Sequence, residues 1–207
     1  MTSPAPRPDL PLTRSGDRTG RGLRSSLQQA DRLSRRARYL AAAAVTPALR
    51  GYPIALGPRV HLRLGPAGSF ARGRRCTIAG DFTGQFDGAV TWGDDVFVNV
   101  GAYLSVFESL WLGDRVRLGE RVSIHDEDHA FEPVGGDREV YRTSPVVIED
   151  DVWIGAGAII LRGSHIGAGS VVAAGAVVKG LFGAGQLIAG VPARVVRPLK
   201  GLDQRDD

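Results

Sequence analysis

The sequence predicts an all-β solenoid, a parallel β-helix preceded by an α-helix, and three observations carry that expectation. A single aliphatic residue recurs every six positions, from Ile148 through Ile154, Ile160, Ile166 and Val172 to Val178. Glycine is abundant, at 28 of 207 residues, and keeps fixed offsets from those positions: Gly155 and Gly167 follow directly, and Gly157, Gly163, Gly169 and Gly175 lie three further on, where Asp151 holds the equivalent place. The repeat also breaks once, over the 23 residues between Ile124 and Ile148. A period of six matches neither the helical period of about 3.6 nor the strand period of about 2. It matches very short strands separated by corners, each sending one side chain inward, with Gly, Asp and Asn supplying the unusual backbone angles. Such a unit cannot bury its own apolar face and must stack on copies of itself.

The repeat extends upstream through Trp92, Val98 and Leu104, takes an eight-residue step to Leu112, and continues through Leu118 to Ile124. Gly93, Gly113 and Gly119 keep their place after the inward residue. A weaker register runs through Leu64, Phe70, Cys76 and Phe82, which reads Cys76 as a small inward-facing residue rather than a nucleophile. The β-helix domain is therefore assigned to 51–207, with a C-terminal extension and a loop over about 125–147 projecting from the coils. Insertions on a rigid scaffold tend to carry function.

The N-terminal part differs. Residues 1–22 are rich in Pro, Gly, Ser and Arg and read as a disordered basic tail. Over 23–50, Leu23, Leu27, Ala30, Leu33, Ala37, Leu40 and Ala44 step by three or four, which is one face of an amphipathic helix, and Pro47 ends or bends it. The helix is expected to pack on its own protein, and Arg32, Arg35, Arg36 and Arg38 make it a candidate for peripheral membrane contact. The chain's net charge is only +4, yet nine arginines fall within the first 38 residues. No aromatic residues interleave with them as a nucleic-acid surface would require, so no nucleic-acid partner is expected. A basic run before "YLAAAAV" resembles an export signal, but no small-residue cleavage site follows. One cysteine excludes an internal disulfide framework and a Cys-rich zinc site, and fits a cytoplasmic location. "GAGAII" and "GAGSVV" lack the third glycine of a dinucleotide fingerprint, and no G-x-S-x-G elbow is present.

The loop opens with "HDEDHAF", two of the four histidines among three acidic residues. Together with "PVVIEDDVWIGAGAIILRGSHIGAGSVVAAGAVVKG" and "IAGVPARVVRPL", the string "SIHDEDHAFEP" resembles the hexapeptide-repeat acyltransferases, closest to the maltose, galactoside and nodulation O-acetyltransferases, over roughly 88–199. The resemblance implies a left-handed β-helix with triangular coils and a homotrimer with sites between subunits. It also implies acetyl-coenzyme A as donor and a hydroxylated sugar, glycan, glycolipid or glycosylated natural product as acceptor. His129 matches the catalytic histidine. Asn99, Glu108 and Asp128 fall on the acceptor side, and Trp153, Ala156, Ala174, Lys179, Arg194 and Arg197 on the coenzyme side. Two departures stand out. The acceptor aspartate of those enzymes falls near Phe107 or Glu108, and Lys179 sits one position early. Residues 1–60 also lack the helical cap of the maltose and galactoside enzymes.

Transfer from a thioester to an alcohol needs a base of near-neutral pKa, donors for the oxyanion, and two substrates held together. His129 supplies the base in this reading, acting directly on the acceptor. Asp126, Asp128 and Glu132 are candidates to orient its other ring nitrogen, and spacing does not choose among them. His125 reads as a loop or rung residue, His165 as a coil-surface residue, and His61 has no motif around it. A zinc site is not expected either. Some hexapeptide β-helices are carbonic anhydrases, and that resemblance implies two histidines five apart and a third about two coils earlier, whereas His125 and His129 stand four apart with no histidine between His61 and His125. Two alternatives stay open: N-acetyl transfer to an amino sugar, and a non-catalytic trimeric scaffold.

Overall fold

The computed structural model describes residues 54–130 and 141–199, together with Leu33, Ser34 and Ala37. The coils form a left-handed parallel β-helix whose three faces are separate sheets. The first face stacks Ala55–Leu56, Thr77–Ile78, Phe97–Val98, Arg117–Leu118, Trp153–Ile154, Val171–Val172 and Gln186–Gly190 in parallel, then adds Ala193–Pro198 antiparallel at its end. The second and third faces hold six strands each.

The six-residue period is a rotation around these faces. Ile148 lies on the third, Ile154 on the first and Ile160 on the second, and the next three hexads repeat the order one coil further on. Ile148 therefore stacks on Ile166, Ile154 on Val172 and Ile160 on Val178. All six are fully buried. A second inward position lies two residues before each of these: Val152, Ala158 and Ala176 are apolar, while Ser164 and Ser170 donate to the Leu161 carbonyl at 2.6 Å and the Gly183 carbonyl at 3.0 Å. These buried hydroxyls are thus satisfied.

The eight-residue step has a simple cause. Tyr103–Val106 and Ser109–Leu112 are longer strands, and each sends two residues inward, Leu104 with Val106 and Leu110 with Leu112. The N-terminal register differs from the expectation. Ile78, paired with Val98, holds the inward position on the first face, and Cys76 is the buried residue two places before it. Burial pushes the Cys76 thiol up, in keeping with a small core residue. Phe82 likewise precedes its inward position, which is Gly84, paired with Leu104. A Cβ at Gly84 would lie 2.9 Å from the rings of both Phe82 and Phe86, so the glycine makes room for them.

Corners use left-handed backbone where the glycine spacing predicts it, with φ from 59° at Asp151 to 71° at Gly163. Arg59, Arg75, Arg115 and Arg121 share that conformation, which the sequence does not announce. Three of them join ion pairs running along the corners: Arg59 with Asp81, Arg75 with Asp95, and Arg115 with Asp151 at 2.6 Å. Beside them an aspartate ladder accepts backbone N–H groups, Arg74 to Asp94 at 2.8 Å, Asp94 to Asp114 at 2.7 Å and Asp114 to Asp150 at 2.9 Å. Leu33, Ser34 and Ala37 are helical, and Leu33 and Ala37 are exposed. The remainder of the expected helix and the 1–22 tail lie outside the described residues. No helix among the described residues is long and apolar enough to cross a membrane.

Two measurements check this architecture. Ile154→Ala removes a fully buried stacking residue and should cost about 2–5 kcal/mol in urea unfolding. Side-chain hydrogen bonds from Arg59, Arg75 and Arg115 hold Asp81, Asp95 and Asp151 below the ordinary carboxylate range, so these pairs stabilise the fold above that range and lose their contribution as pH falls through the folded-state values. The thermal midpoint should therefore drop on acidification below about pH 4, and less steeply in Arg115→Gln.

Candidate functional site

The loop leaves the solenoid at the corner between the second and third faces, and Asp126 fixes its root. This side chain is fully buried and its two oxygens accept the Phe107 and Glu108 backbone N–H groups, each at 2.7 Å. Burial pushes its carboxyl up, against those two bonds, which favour the anion. Glu127–His129 then pairs antiparallel with Tyr141–Thr143 to form a neck, with His129 opposite Tyr141. The two rings lie 4.8 Å apart, and the Tyr141 ring is also 4.6 Å from that of Phe107. His129 is exposed at the outer end of the neck.

A recess of about 370 Å³ opens beside the neck, lined by His125, Glu127, Asp128, His129, Ile159 and Leu161. His125 is more closely tied than a loop histidine: Nε2 lies 2.7 Å from Ser123 Oγ, and Nδ1 3.4 Å from Glu127 Oε1. Asp128 accepts from Arg162 Nε at 2.6 Å and has Lys179 Nζ at 3.8 Å. Two of the three carboxylates considered for orienting His129 are thus committed elsewhere, Asp126 to backbone and Asp128 to Arg162. Glu132 lies outside the described residues. The Glu108 N–H serves the loop root.

A second concavity, about 460 Å³, runs along the first face. It gathers Asn99, Trp153, Ala156 and Ala174, four residues singled out in the sequence, together with Arg117 and Glu120. Asn99 Nδ2 donates to Glu120 Oε1 at 2.8 Å, and the Trp153 ring is more than half exposed. A side chain at Gly155 would place Cβ 2.5 Å from the Ala174 backbone nitrogen, so the glycine lets successive coils close up along this groove. The row outward from Trp153 continues through Val171 and Leu187 to Arg197, which puts Arg197 on the groove's face. Arg194 is on the same terminal strand.

Lys179 is not in this group. It stands by the loop neck, against Asp128. Asn99 and His129 are likewise apart, one beside the first face and the other at the far edge of the second. Arg162 and Tyr141 were missed in the sequence. Arg162 lies two residues after the inward Ile160 and reads as ordinary coil surface, and Tyr141 sits in a stretch with no period. His165 is a surface residue, as expected, held 2.7 Å from Glu149. Among the described residues no three His, Cys, Asp or Glu side chains are set to hold a metal ion.

Known proteins resemble this chain in repeat and in fold. The family described as bacterial transferase hexapeptide (six repeats) matches residues 145–180. A hexapeptide-repeat acetyltransferase from Vibrio cholerae, solved with acetyl coenzyme A, aligns over 83% of this chain and 88% of its own, at 27% identity and a TM-score of 0.52. Residues 145–180 thus carry the hexapeptide repeat of bacterial transferases, and the fold is that of a hexapeptide-repeat acetyltransferase. A galactoside O-acetyltransferase of Lactococcus lactis is 31% identical over 132 residues, 63% of this chain and 64% of that protein. A 2,3,4,5-tetrahydropyridine-2,6-dicarboxylate N-acetyltransferase of Staphylococcus aureus is 52% identical over 54 residues, 26% of this chain and 23% of that protein. The chain thus spans less than two thirds of either relative. Both oxygen and nitrogen acceptors occur among hexapeptide-repeat relatives.

The loop root gives a direct test of the local reading. Asp126→Ala leaves the Phe107 and Glu108 N–H groups without their acceptor at a fully buried position and should lower stability by roughly 2–5 kcal/mol. A thermal midpoint within a degree of wild type would contradict the buried role.

Proposed function

We propose that this hexapeptide-repeat protein is an acetyl-coenzyme A-dependent acyltransferase acting on a hydroxyl of a sugar-like acceptor. The observation that carries the reading is the pairing of His129 at the rim of an open recess with a coil-stacked groove holding Asn99, Trp153, Ala156 and Ala174. These two features lie on different parts of one chain. A homotrimer that sets the groove of one subunit against the loop of the next would bring them together, and the kinship supports that arrangement. The acetyl-coenzyme A supply fits a cytoplasmic enzyme.

In this mechanism a His129 ring nitrogen takes the acceptor proton as the hydroxyl oxygen attacks the thioester carbonyl. The tetrahedral intermediate collapses, the C–S bond breaks, and the imidazolium returns its proton to the leaving thiolate. No acyl-enzyme forms. Tyr141, whose ring lies tilted against the imidazole at 4.8 Å, limits its swing and keeps it at the recess. The Trp153 face offers an apolar wall for the donor's arm, and Arg194 and Arg197 lie along the same face to meet its phosphates. Lys179 and Asp128 belong to the acceptor side.

Acetyl-coenzyme A at about 100 times its dissociation constant should stabilise the protein by roughly 2.7 kcal/mol, seen as a raised thermal midpoint that free adenosine does not reproduce. His129→Ala should lower kcat by about 10²–10⁴-fold with donor affinity unchanged. Trp153→Ala should do the reverse, weakening the donor and sparing kcat. Retained activity in His129→Ala would remove the base from the scheme, and an unshifted midpoint would favour a non-catalytic scaffold.

A further inference from the structure

The recess beside His129 contains a polar atom that its own chain leaves idle. Glu127 is only 13% exposed, and its Oε1 is engaged with His125 Nδ1 at 3.4 Å. Its Oε2 is buried and has no hydrogen-bond partner among the described residues. Buried carboxylate oxygens are rarely left so, and the cost of an unmet one is high. The nearby cations do not relieve it, since Arg162 donates to Asp128 at 2.6 Å and Lys179 Nζ lies 3.8 Å from the same carboxylate oxygen. Glu127 and His129 stand two residues apart on one short strand, and such positions share a side of the strand. Both line the recess.

We infer that Glu127 is the acceptor-selecting residue, and that its free oxygen takes a hydrogen bond from an ammonium group carried by the acceptor next to the atom being acylated. This deepens the proposed function and rests on it. A carboxylate oxygen only accepts, so it favours a donor; a charged donor makes the stronger bond, and a carboxylate or phosphate at the same place is repelled. His125 holds the other oxygen and is itself held by Ser123, so Glu127 is presented in a fixed direction. Ile159 and Leu161 supply the apolar wall against which the bond is made. The acceptor class is an amino sugar or another amino alcohol, rather than a neutral or acidic sugar.

The experiment uses the full chain with matched probes: 2-amino-2-deoxyglucose, glucose and glucuronate. Binding is read by calorimetry with and without acetyl-coenzyme A, and transfer by release of free thiol. Wild type should favour the amine over its hydroxyl twin by about tenfold or more in affinity and in kcat/KM, with glucuronate weakest. Glu127→Gln should bring amine and hydroxyl probes to within about threefold of each other, while KM for acetyl-coenzyme A and the thermal midpoint stay at wild-type values. Glu127→Ala serves as a second variant with the same expected loss of preference. A wild type that does not prefer the amine overturns the inference, as does a preference that survives both substitutions. Failure of the acyltransferase reading shows separately, as absent acetyl-coenzyme A binding, and calorimetry of the three probes still decides the role of Glu127.

Discussion

Everything in this molecule depends on where the backbone hydrogen bonds point. In each coil the N–H and C=O groups are met by the coils before and after it, as in Thr77 N–H to the Val96 carbonyl and Phe97 N–H to the Val116 carbonyl. No coil is complete alone. The side chains follow the same axis, so Ile154 lies over Val172 and beside Leu118. Stability is thus nearest-neighbour in character, summed over stacked coils rather than over packed layers. The corners are the cost of this plan, because each needs a residue in left-handed backbone. Late coils use glycine there, while earlier ones use arginine and aspartate in reciprocal pairs that offset the strain.

The site arises from a break in that plan. Chain inserted at one corner must leave without unpicking the rungs on either side, and the Asp126 carboxylate substitutes for a rung by accepting two amides of the preceding coil. Ser144 N–H then bonds back to the Asp126 carbonyl at 2.9 Å, closing the loop at its root. Its described part is a short two-stranded neck, Glu127–His129 against Tyr141–Thr143. His129 and Glu127 therefore sit on paired backbone beside the second face, which is what the proposed base and specificity group would require.

The hexad was legible because one physical demand, a single aliphatic residue per face, repeats without exception from Ile148 to Val178. The N-terminal coils were less legible because longer strands there add a further inward residue, as Val106 after Leu104, and the count of six lapses. Gly84 hides an inward position from any search for aliphatic residues. The groove residues were named through resemblance, and the fold brings Asn99, Trp153, Ala156 and Ala174 together. The loop was harder. Spacing could not say which acid meets which base, and it is tertiary placement that sends Asp126 to backbone, Asp128 to Arg162 and Glu127 to His125. The link between Ser123, His125 and Glu127 has no periodic signature at all.

A stack of identical rungs has no intrinsic reason to stop, and its last coil offers an open hydrogen-bonding rim to any other extended chain. On the first face that rim is occupied: Ala193–Pro198 turns back and lies antiparallel on Gln186–Gly190. The reversed strand ends the parallel register and presents Arg194 and Arg197 outward, a charged fringe on what would otherwise be a template. The same short segment thus acts as a terminator against end-to-end fibre growth and, in the proposed enzyme, as the shore where an anionic donor would land.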